Sequence, residues 1–310
     1  MTHERESLTA TVKVALRMWL FRLQYAFVRR RLAPFRILTS AETVRYVLDR
    51  RCSVCRYGDG EMDMITSLHA GYDDSRRSQF QPYDAELARR LEEVLRSGSS
   101  DTPAVLVCIP RVWQHPGLLV PKSSLFVRRS VVLNRRAILG ALRPGVVYGD
   151  AYFTRFYIDF KDKDKAAYVR FCRQIWEGRD VCLIEGAQSR LGVGNDLFAN
   201  ARRVERILCP AVGAFARYDE ILASACRADA SRLFLLALGQ TATVLAYDLA
   251  HTGRQAIDIG HIDVEYEWMR MGATEKVALP RKFVNEVEAG RDVADETDAA
   301  YLAQIIDRIV

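Results

Sequence analysis

The sequence predicts an α/β protein with a Rossmann-like, doubly wound and mostly parallel sheet, carrying an amphipathic helical arm at its N-terminal side and a helix at its C-terminal side. Two observations carry this. Short apolar runs that read as buried strands alternate with longer segments of helical periodicity, the pattern of parallel strands joined by crossover helices. Nearly every such run also ends in glycine beside a polar or acidic residue. Turn chemistry favours glycine there, and the carboxyl ends of strands are where open α/β sheets hold ligands.

Taken in order, Ala41–Asp49 reads as a helix, Ser53–Tyr57 as the first strand and Glu61–Leu68 as the helix that follows. Asp84–Arg96 has apolar residues at helical spacing with charges opposite, and Gly98 ends it. Ala104–Ile109, A-V-L-V-C-I, is a continuous apolar run suited to a sheet covered on both faces, stopped by Pro110. Val146–Tyr148 is a third strand, ending at Gly149-Asp150. Asp164–Trp176 is helical, and Asp180–Ile184 is a buried strand ending at Glu185-Gly186. Asp196 is expected to cap a helix over Leu197–Arg203. Val204–Leu208 is a strand and Tyr218–Cys226 a helix. Leu233–Leu238 is the most apolar strand, leading through Gly239 and Thr241 into the helix Ala242–Ala250. Ala256–Ile259 is the last strand. Beyond Met271 the chain looks peripheral: a mixed stretch, an acidic linker near Asp292–Asp298, then a helix over Ala299–Ile309. The expected division is an arm (1–40), a catalytic-size domain (41–271) and an extension (272–310).

The net charge of +6 belongs to residues 1–36, which hold eight basic residues against Glu4 and Glu6. The remaining residues sum to zero, which argues against a broad nucleic-acid-binding face. Within the arm, Leu16–Val28 is aromatic and apolar but interrupted by Arg17 and Arg22, too short and too charged to span a bilayer. It reads as an interfacial helix, with Trp19, Phe21 and Phe27 in lipid and arginines at the headgroups, each worth about 1 kcal/mol beside an anionic surface. The competing reading packs the helix on the body or on a second subunit of a homo-oligomer. Seven cysteines, an odd number, do not form a disulfide framework. Cys52 and Cys55 have knuckle spacing without a second pair, so buried thiols are expected, and with them a reducing cytoplasmic compartment. The arm would add a peripheral position at the inner face of the plasma membrane.

Chemistry collects at the strand ends. Gly58-Asp59-Gly60-Glu61 places two carboxylates one residue apart between glycines, a compact oxygen site for a hard divalent cation such as Mg²⁺ or Mn²⁺. Gly239-Gln240-Thr241 runs a strand straight into a helix, whose first N–H groups suit a phosphate; a plain Thr241 cap is the alternative. In Glu185–Asp196, Gly192 and Gly194 would let a ligand approach the backbone, and Ser189 and Arg190 could grip phosphate or sugar hydroxyls. Glu185 at the end of a buried strand, Asp258 and His261 are the candidate general bases. Asp263, Glu265 and Glu267 read in part as a solvated face. There is no G-x-G-x-x-G and no P-loop.

The runs V-C-L-I-E-G-A-Q-S-R-L-G-V-G-N-D-L-F-A-N-A, A-L-G-Q-T-A-T-V-L-A-Y-D-L and A-I-D-I-G-H-I-D-V-E-Y-E-W, with R-Y-G-D-G-E before them, resemble the GT-D-type bacterial glycosyltransferases from about Arg56 to Trp268. The resemblance implies a GT-D-type fold, a nucleotide-sugar donor (a UDP-sugar first), and a glycan or lipid-linked glycan acceptor in surface polysaccharide or glycoprotein synthesis. It maps the family's metal-binding Asp-x-Glu motif onto Asp59 and Glu61. Gln240 stands where family members usually carry Pro, and Gly213 where many carry Asn. The expected activity is metal-dependent glycosyl transfer, with Gly58, Arg190, Gly239, Gln240 and Thr241 around the donor. A nucleotide-dependent phosphotransferase and a non-catalytic nucleotide-sugar sensor are the rivals.

Overall fold

The computed structural model describes residues 19–71, 80–291, 293, 294 and 296–309. Ten strands form one sheet: β1 (Arg36–Ile37), β2 (Ser53–Arg56), β3 (Ser100–Asp101), β4 (Ala104–Ile109), β5 (Val147–Asp150), β6 (Asp180–Gly186), β7 (Arg203–Cys209), β8 (Leu233–Ala237), β9 (Gln255–Asp258) and β10 (Ile305–Arg308). Their order is β1-β5-β4-β2-β9-β8-β6-β7-β10, with β3 paired to β4. Every pairing is parallel except that of β3. The doubly wound, mostly parallel expectation holds.

Alternation along the strands builds two cores. In β4, Val105, Val107 and Ile109 face one layer while Leu106 and Cys108 face the other; in β8, Phe234 and Leu236 oppose Leu233 and Leu235. The first layer is covered by helices α3 (Asp59–Ala70), α4 (Ala85–Ser97), α5 (Pro121–Leu133), α6 (Arg135–Ala141), α8 (Tyr218–Arg227) and α9 (Gln240–His251). The second is covered by α2 (Ser40–Arg50), α7 (Ala166–Arg173) and α10 (Ile262–Arg270). Such strands need apolar residues on both faces, and each fully buried Val, Leu, Ile or Phe contributes about 1.5–3 kcal/mol. Local signals place the helix starts. Thr39 and Glu42 form a reciprocal capping box at α2, and the Asp84 carboxylate accepts the Leu87 N–H at 2.9 Å to begin α4.

Several expectations are corrected. No helix follows Asp196; residues 197–200 are turns and β7 begins at Arg203. Asp196 instead accepts the Tyr266 hydroxyl at 2.6 Å and pairs with Arg173 at 3.1 Å. Helices α5 and α6 fill a stretch that carried no expected element. The segment beyond Met271 is not peripheral. Its helix stops early (α11, Ala299–Ala303), and the next residues become β10, seated in parallel on β7. Of the acidic linker, Asp292 and Asp295 lie outside the described residues.

Residues 1–18 of the arm also lie outside them, while residues 19–32 are helical (α1). One face of α1 is body-packed: Tyr25, Val28 and Leu32 are buried in the first core. The Tyr25 hydroxyl donates to the Trp113 carbonyl at 2.8 Å, and Gln114 donates to the Leu32 and Phe35 carbonyls. Trp19, Leu20, Leu23 and Phe27 remain exposed. No helix among the described residues is long and apolar enough to cross a membrane. The cysteines are free thiols, six of them buried, and burial pushes Cys52 up to about 12.

Candidate active site

The strand order reverses around β2 and β9, where the chain returns to the sheet centre after building both flanks. An open cleft of about 900 Å³ lies there, lined by residues that follow the strands at their carboxyl ends, Asp59, Glu61, Gly239, Asp258 and His261 among them.

One wall is made of two helix starts. Glu61, the third residue of α3, folds back so that its carboxylate accepts the Gly58 N–H at 2.7 Å. Burial, reinforced by Asp258 and Asp59 and opposed by that N–H, pushes Glu61 up to about 7. Asp59, two residues earlier, is exposed to the cleft. Against them stands the start of α9. Gly239 has φ +54°, and a Cβ there would lie 2.4 Å from the Phe80 ring; a Cβ on Gly60 would lie 2.3 Å from the Gln240 amide nitrogen. Glycine at 60 lets the two helix starts approach, and glycine at 239 makes room for the Phe80 ring. Gln240 is buried, and its side-chain oxygen has no hydrogen-bond partner among the described residues, which marks it as a polar atom open to a ligand.

The floor is set by Arg56. Its guanidinium donates to Asp258 Oδ1 from Nε (3.2 Å) and Nη2 (3.1 Å), to the Asp258 carbonyl and to the Ala151 carbonyl, tying together the ends of β2, β9 and β5. Burial raises the Asp258 carboxyl while Arg56 pulls it down. Gly260 has φ +43°, and a Cβ there would fall 1.8 Å from Arg56 Nη2, so a larger residue would be strained and would push the guanidinium off its partners.

The second wall holds His261 at the start of α10. Its Nε2 lies 3.2 Å from Glu286 Oε2, and Glu286 Oε1 accepts from Arg155 at 3.0 Å. Although burial opposes it, the neighbouring His261, Arg155 and Lys276 hold Glu286 well below the usual carboxylate range. Asp159 accepts the Ser123 hydroxyl at 2.6 Å and sits 3.6 Å from Arg155. Arg155, Asp159 and Glu286 were not among the sequence candidates. They lie between elements, in no motif; only their spacing from the strand-end glycines after folding reveals them.

Three candidates are placed elsewhere. Glu185 is fully buried, ion-paired with Arg206, and accepts the Leu191 N–H at 2.7 Å; it does not line the cleft. Burial raises its carboxyl despite Arg206. Arg190, at φ +50°, is 3% exposed and donates to the Arg281 and Ala294 carbonyls, so it holds the C-terminal segment and is not among the residues that line the cleft. Thr241 is buried and donates to Gln81 at 3.2 Å. Gly192 serves packing: its N–H donates to Asp263 at 2.9 Å and a Cβ would meet Phe198 at 2.6 Å. Asp263 and Glu265 are not solvated either. Asp263 pairs with buried Lys282 at 2.7 Å, and Glu265 accepts the N–H groups of Tyr157 and Ile158. Gly58, Asp59, Glu61, Gly239, Gln240, Asp258 and His261 do meet in the one cleft.

No group of three or more His, Cys, Asp and Glu side chains arranged to hold a metal ion is found among the described residues. The donor set nevertheless fits a hard divalent cation of the kind that takes one or two carboxylates and completes its shell with water and substrate phosphate. Asp59 and Glu61 offer oxygen ligands only, and the mutual repulsion they share with Asp258 is what a cation relieves.

The fold is a Rossmann-like, mostly parallel sheet, with an acidic pair and a helix start side by side at the strand ends. Residues 54–287 match the family described as Glycosyltransferase GT-D fold. The chain is 36% identical over 271 residues to a probable glycosyl transferase of Streptococcus gordonii, and 36% over 270 residues to glycosyltransferase GlyD of Streptococcus pneumoniae serotype 4. Each alignment takes in 87% of this chain but 38% and 32% of those proteins, so the chain spans about a third of their length. Among solved structures it resembles the domain of unknown function 1792, described as having a distinct glycosyltransferase fold, with a TM-score of 0.83 at 37% identity over 93% of this chain and all of that one. A glycosyltransferase of the same domain type from Streptococcus sanguinis gives 0.81 at 35% identity, over 89% and 100%. The chain belongs to the glycosyltransferase GT-D fold family.

Proposed function

We propose that the chain transfers a sugar from a nucleotide-diphosphate sugar, a UDP-sugar being the first to try, to a glycan or lipid-linked glycan acceptor in surface polysaccharide or glycoprotein synthesis. The observation that supports this most is the meeting of Asp59, Glu61 and the α9 start across one cleft with His261 opposite. The donor diphosphate would lie along the α3 and α9 starts, where backbone N–H groups favour negative charge and where the Gln240 amide, whose oxygen has no partner among the described residues, could turn its nitrogen toward it. Asp59 and Glu61 would hold Mg²⁺ or Mn²⁺, which supplies neutralisation of charge on the departing nucleotide.

His261 is the candidate base. Glu185 is sealed in the core and Asp258 is spent on Arg56, whereas His261 faces the cleft. With Nε2 turned to the Glu286 carboxylate, Nδ1 would take the acceptor hydroxyl proton as the oxygen attacks the anomeric carbon, and Glu286 would stabilise the resulting imidazolium. Asp258 then acts through Arg56, keeping the floor in shape. Contact of residues 1–36 with a membrane belongs to the same reading, as does work at the cytoplasmic face.

The test is turnover of UDP-sugars, with and without EDTA, by wild type, Asp59→Asn and Glu61→Gln. Glutamine at 61 keeps an acceptor for the Gly58 N–H, so folding is preserved. Loss of about a hundredfold or more in both variants, and with EDTA, is expected; full activity in either variant or without metal would remove the assignment of the acidic pair.

A further inference from the structure

Twelve large apolar side chains are exposed among the described residues, and eight of them fall on two neighbouring helices and the turn between: Trp19, Leu20, Leu23 and Phe27 on α1, Leu118 before α5, and Leu125, Phe126 and Leu133 on α5. Trp19, Leu23 and Phe27 repeat every fourth residue, so they form a stripe on α1 opposite buried Tyr25, Val28 and Leu32. On α5 the exposed positions Lys122, Leu125, Phe126, Arg129 and Leu133 form a second stripe, opposite buried Val127 and Val131. The helices meet where the Arg128 guanidinium stacks on the Tyr25 ring at 5.3 Å. An apolar concentration of this kind marks an interaction surface.

Charge identifies the partner. Residues 7–41 and 102–149 each hold seven Lys and Arg and no Asp or Glu. The net charge of the whole chain is only +6, so the remaining residues sum to a negative charge, while the described part of α1 carries four arginines and α5 a lysine and two arginines, with no acidic residue on either. The body is therefore not electrically even, as its zero sum suggested. Apolar side chains among arginines match the acyl boundary and headgroups of an anionic bilayer, whereas a phosphate backbone would leave Leu and Phe in water. Phe126 and Lys122 also line the cleft, so the stripe on α5 runs to the rim of the site.

We propose that the outer faces of α1 and α5 form one composite docking surface for an anionic lipid bilayer, which brings the α5 rim of the cleft to the membrane. Docking itself does not depend on the transferase reading; that the rim receives a membrane-held acceptor does, and deepens it. The surface takes both helices, because α1 alone supplies one stripe and α5 the other.

The full chain is sedimented with phosphatidylglycerol/phosphatidylcholine vesicles and with phosphatidylcholine alone. Wild type is expected to bind the anionic vesicles and release them at high salt. Brominated acyl chains should quench its tryptophan fluorescence through Trp19, the other three tryptophans being buried. Leu23→Glu with Phe27→Glu, and separately Leu125→Glu with Leu133→Glu, should each lower partitioning about tenfold or more. Absence of wild-type binding, indifference of binding to the α5 pair, or a solution dimer that both pairs dissociate and that does not sediment with vesicles would overturn the proposal. Donor turnover in solution, measured on the same variants, stays at the wild-type level if the cleft works as proposed, so failure of docking and failure of the transferase reading are told apart.

Discussion

Two strand ends that look alike in sequence meet opposite fates. β2 ends in Gly58-Asp59-Gly60-Glu61 and β6 ends in Glu185-Gly186, each an acid beside glycine at the carboxyl edge of a parallel sheet. At β2 the two helix starts form an open wall, Asp59 is exposed to the cleft and Gln240 has an oxygen with no partner among the described residues. At β6 the C-terminal segment closes over the edge. Arg206 takes Glu185 and donates to Gln304, its guanidinium lies 4.8 Å from the Tyr301 ring, and Arg190 is spent on the Arg281 and Ala294 carbonyls. Burying an acid does not make it a base. What decides is whether its partners come from a substrate or from the chain itself.

The sharpest way to break the comparison crosses the two ends. Arg206→Ala strands Glu185 in the core and should cost about 3–5 kcal/mol of stability, read by urea denaturation, while turnover per folded molecule is kept. His261→Ala should do the reverse, lowering turnover about 10²–10⁴-fold with an unchanged unfolding midpoint. If Arg206→Ala instead lowered turnover in fully folded protein, the β6 end would belong to the site after all.

A smaller effect is expected from Arg190→Ala, which removes the guanidinium's hydrogen bonds to the Arg281 and Ala294 carbonyls and should cost about 2–3 kcal/mol. Its donor affinity, measured by calorimetry, should match wild type; a weakened affinity would return Arg190 to the phosphate site.

The smallest effect refines the cleft side. Glu286 sits below its ordinary value of 4.5 in the folded protein, so its pairing adds stability above that pH and loses it as acid protonates the carboxylate. Glu286→Gln should therefore be less stable than wild type near neutral pH by about 1–2 kcal/mol. The gap should close as pH falls below 4.5; a gap that widened in acid would contradict the ion pair.

Much of this was legible in the residues. Ala104–Ile109 reads as a strand because a run apolar on both faces fits little else, and its bounds hold. Asp59, Glu61, Gly239 and His261 are legible because strand-end glycines are a local signal and the sheet gathers strand ends at one edge. What could not be read depends on distant chain. Ile305–Arg308 continues the helical spacing of the residues before it, and only the free edge of β7 makes it a strand. The cover over Glu185 is that same segment, so the error about the strand and the error about the base have one cause. Helix α5 was hidden differently: its exposed stripe mixes Leu and Phe with Lys and Arg, which blurs the contrast between faces on which helical patterns are recognised.

The seat of β10 on β7 also has a consequence in time. Through the N–H of Arg206 to the Gln304 carbonyl at 2.7 Å, and of Ile309 to the Leu208 carbonyl at 2.7 Å, β7 is completed by residues that follow it across the whole of 210–304. At ordinary rates of synthesis that interval is roughly 5–20 s. During it a newborn β7 presents an open edge, and the Glu185–Arg206 pair has no roof. A ribosome-bound chain halted in this window should be the form that chaperones hold and proteases cut.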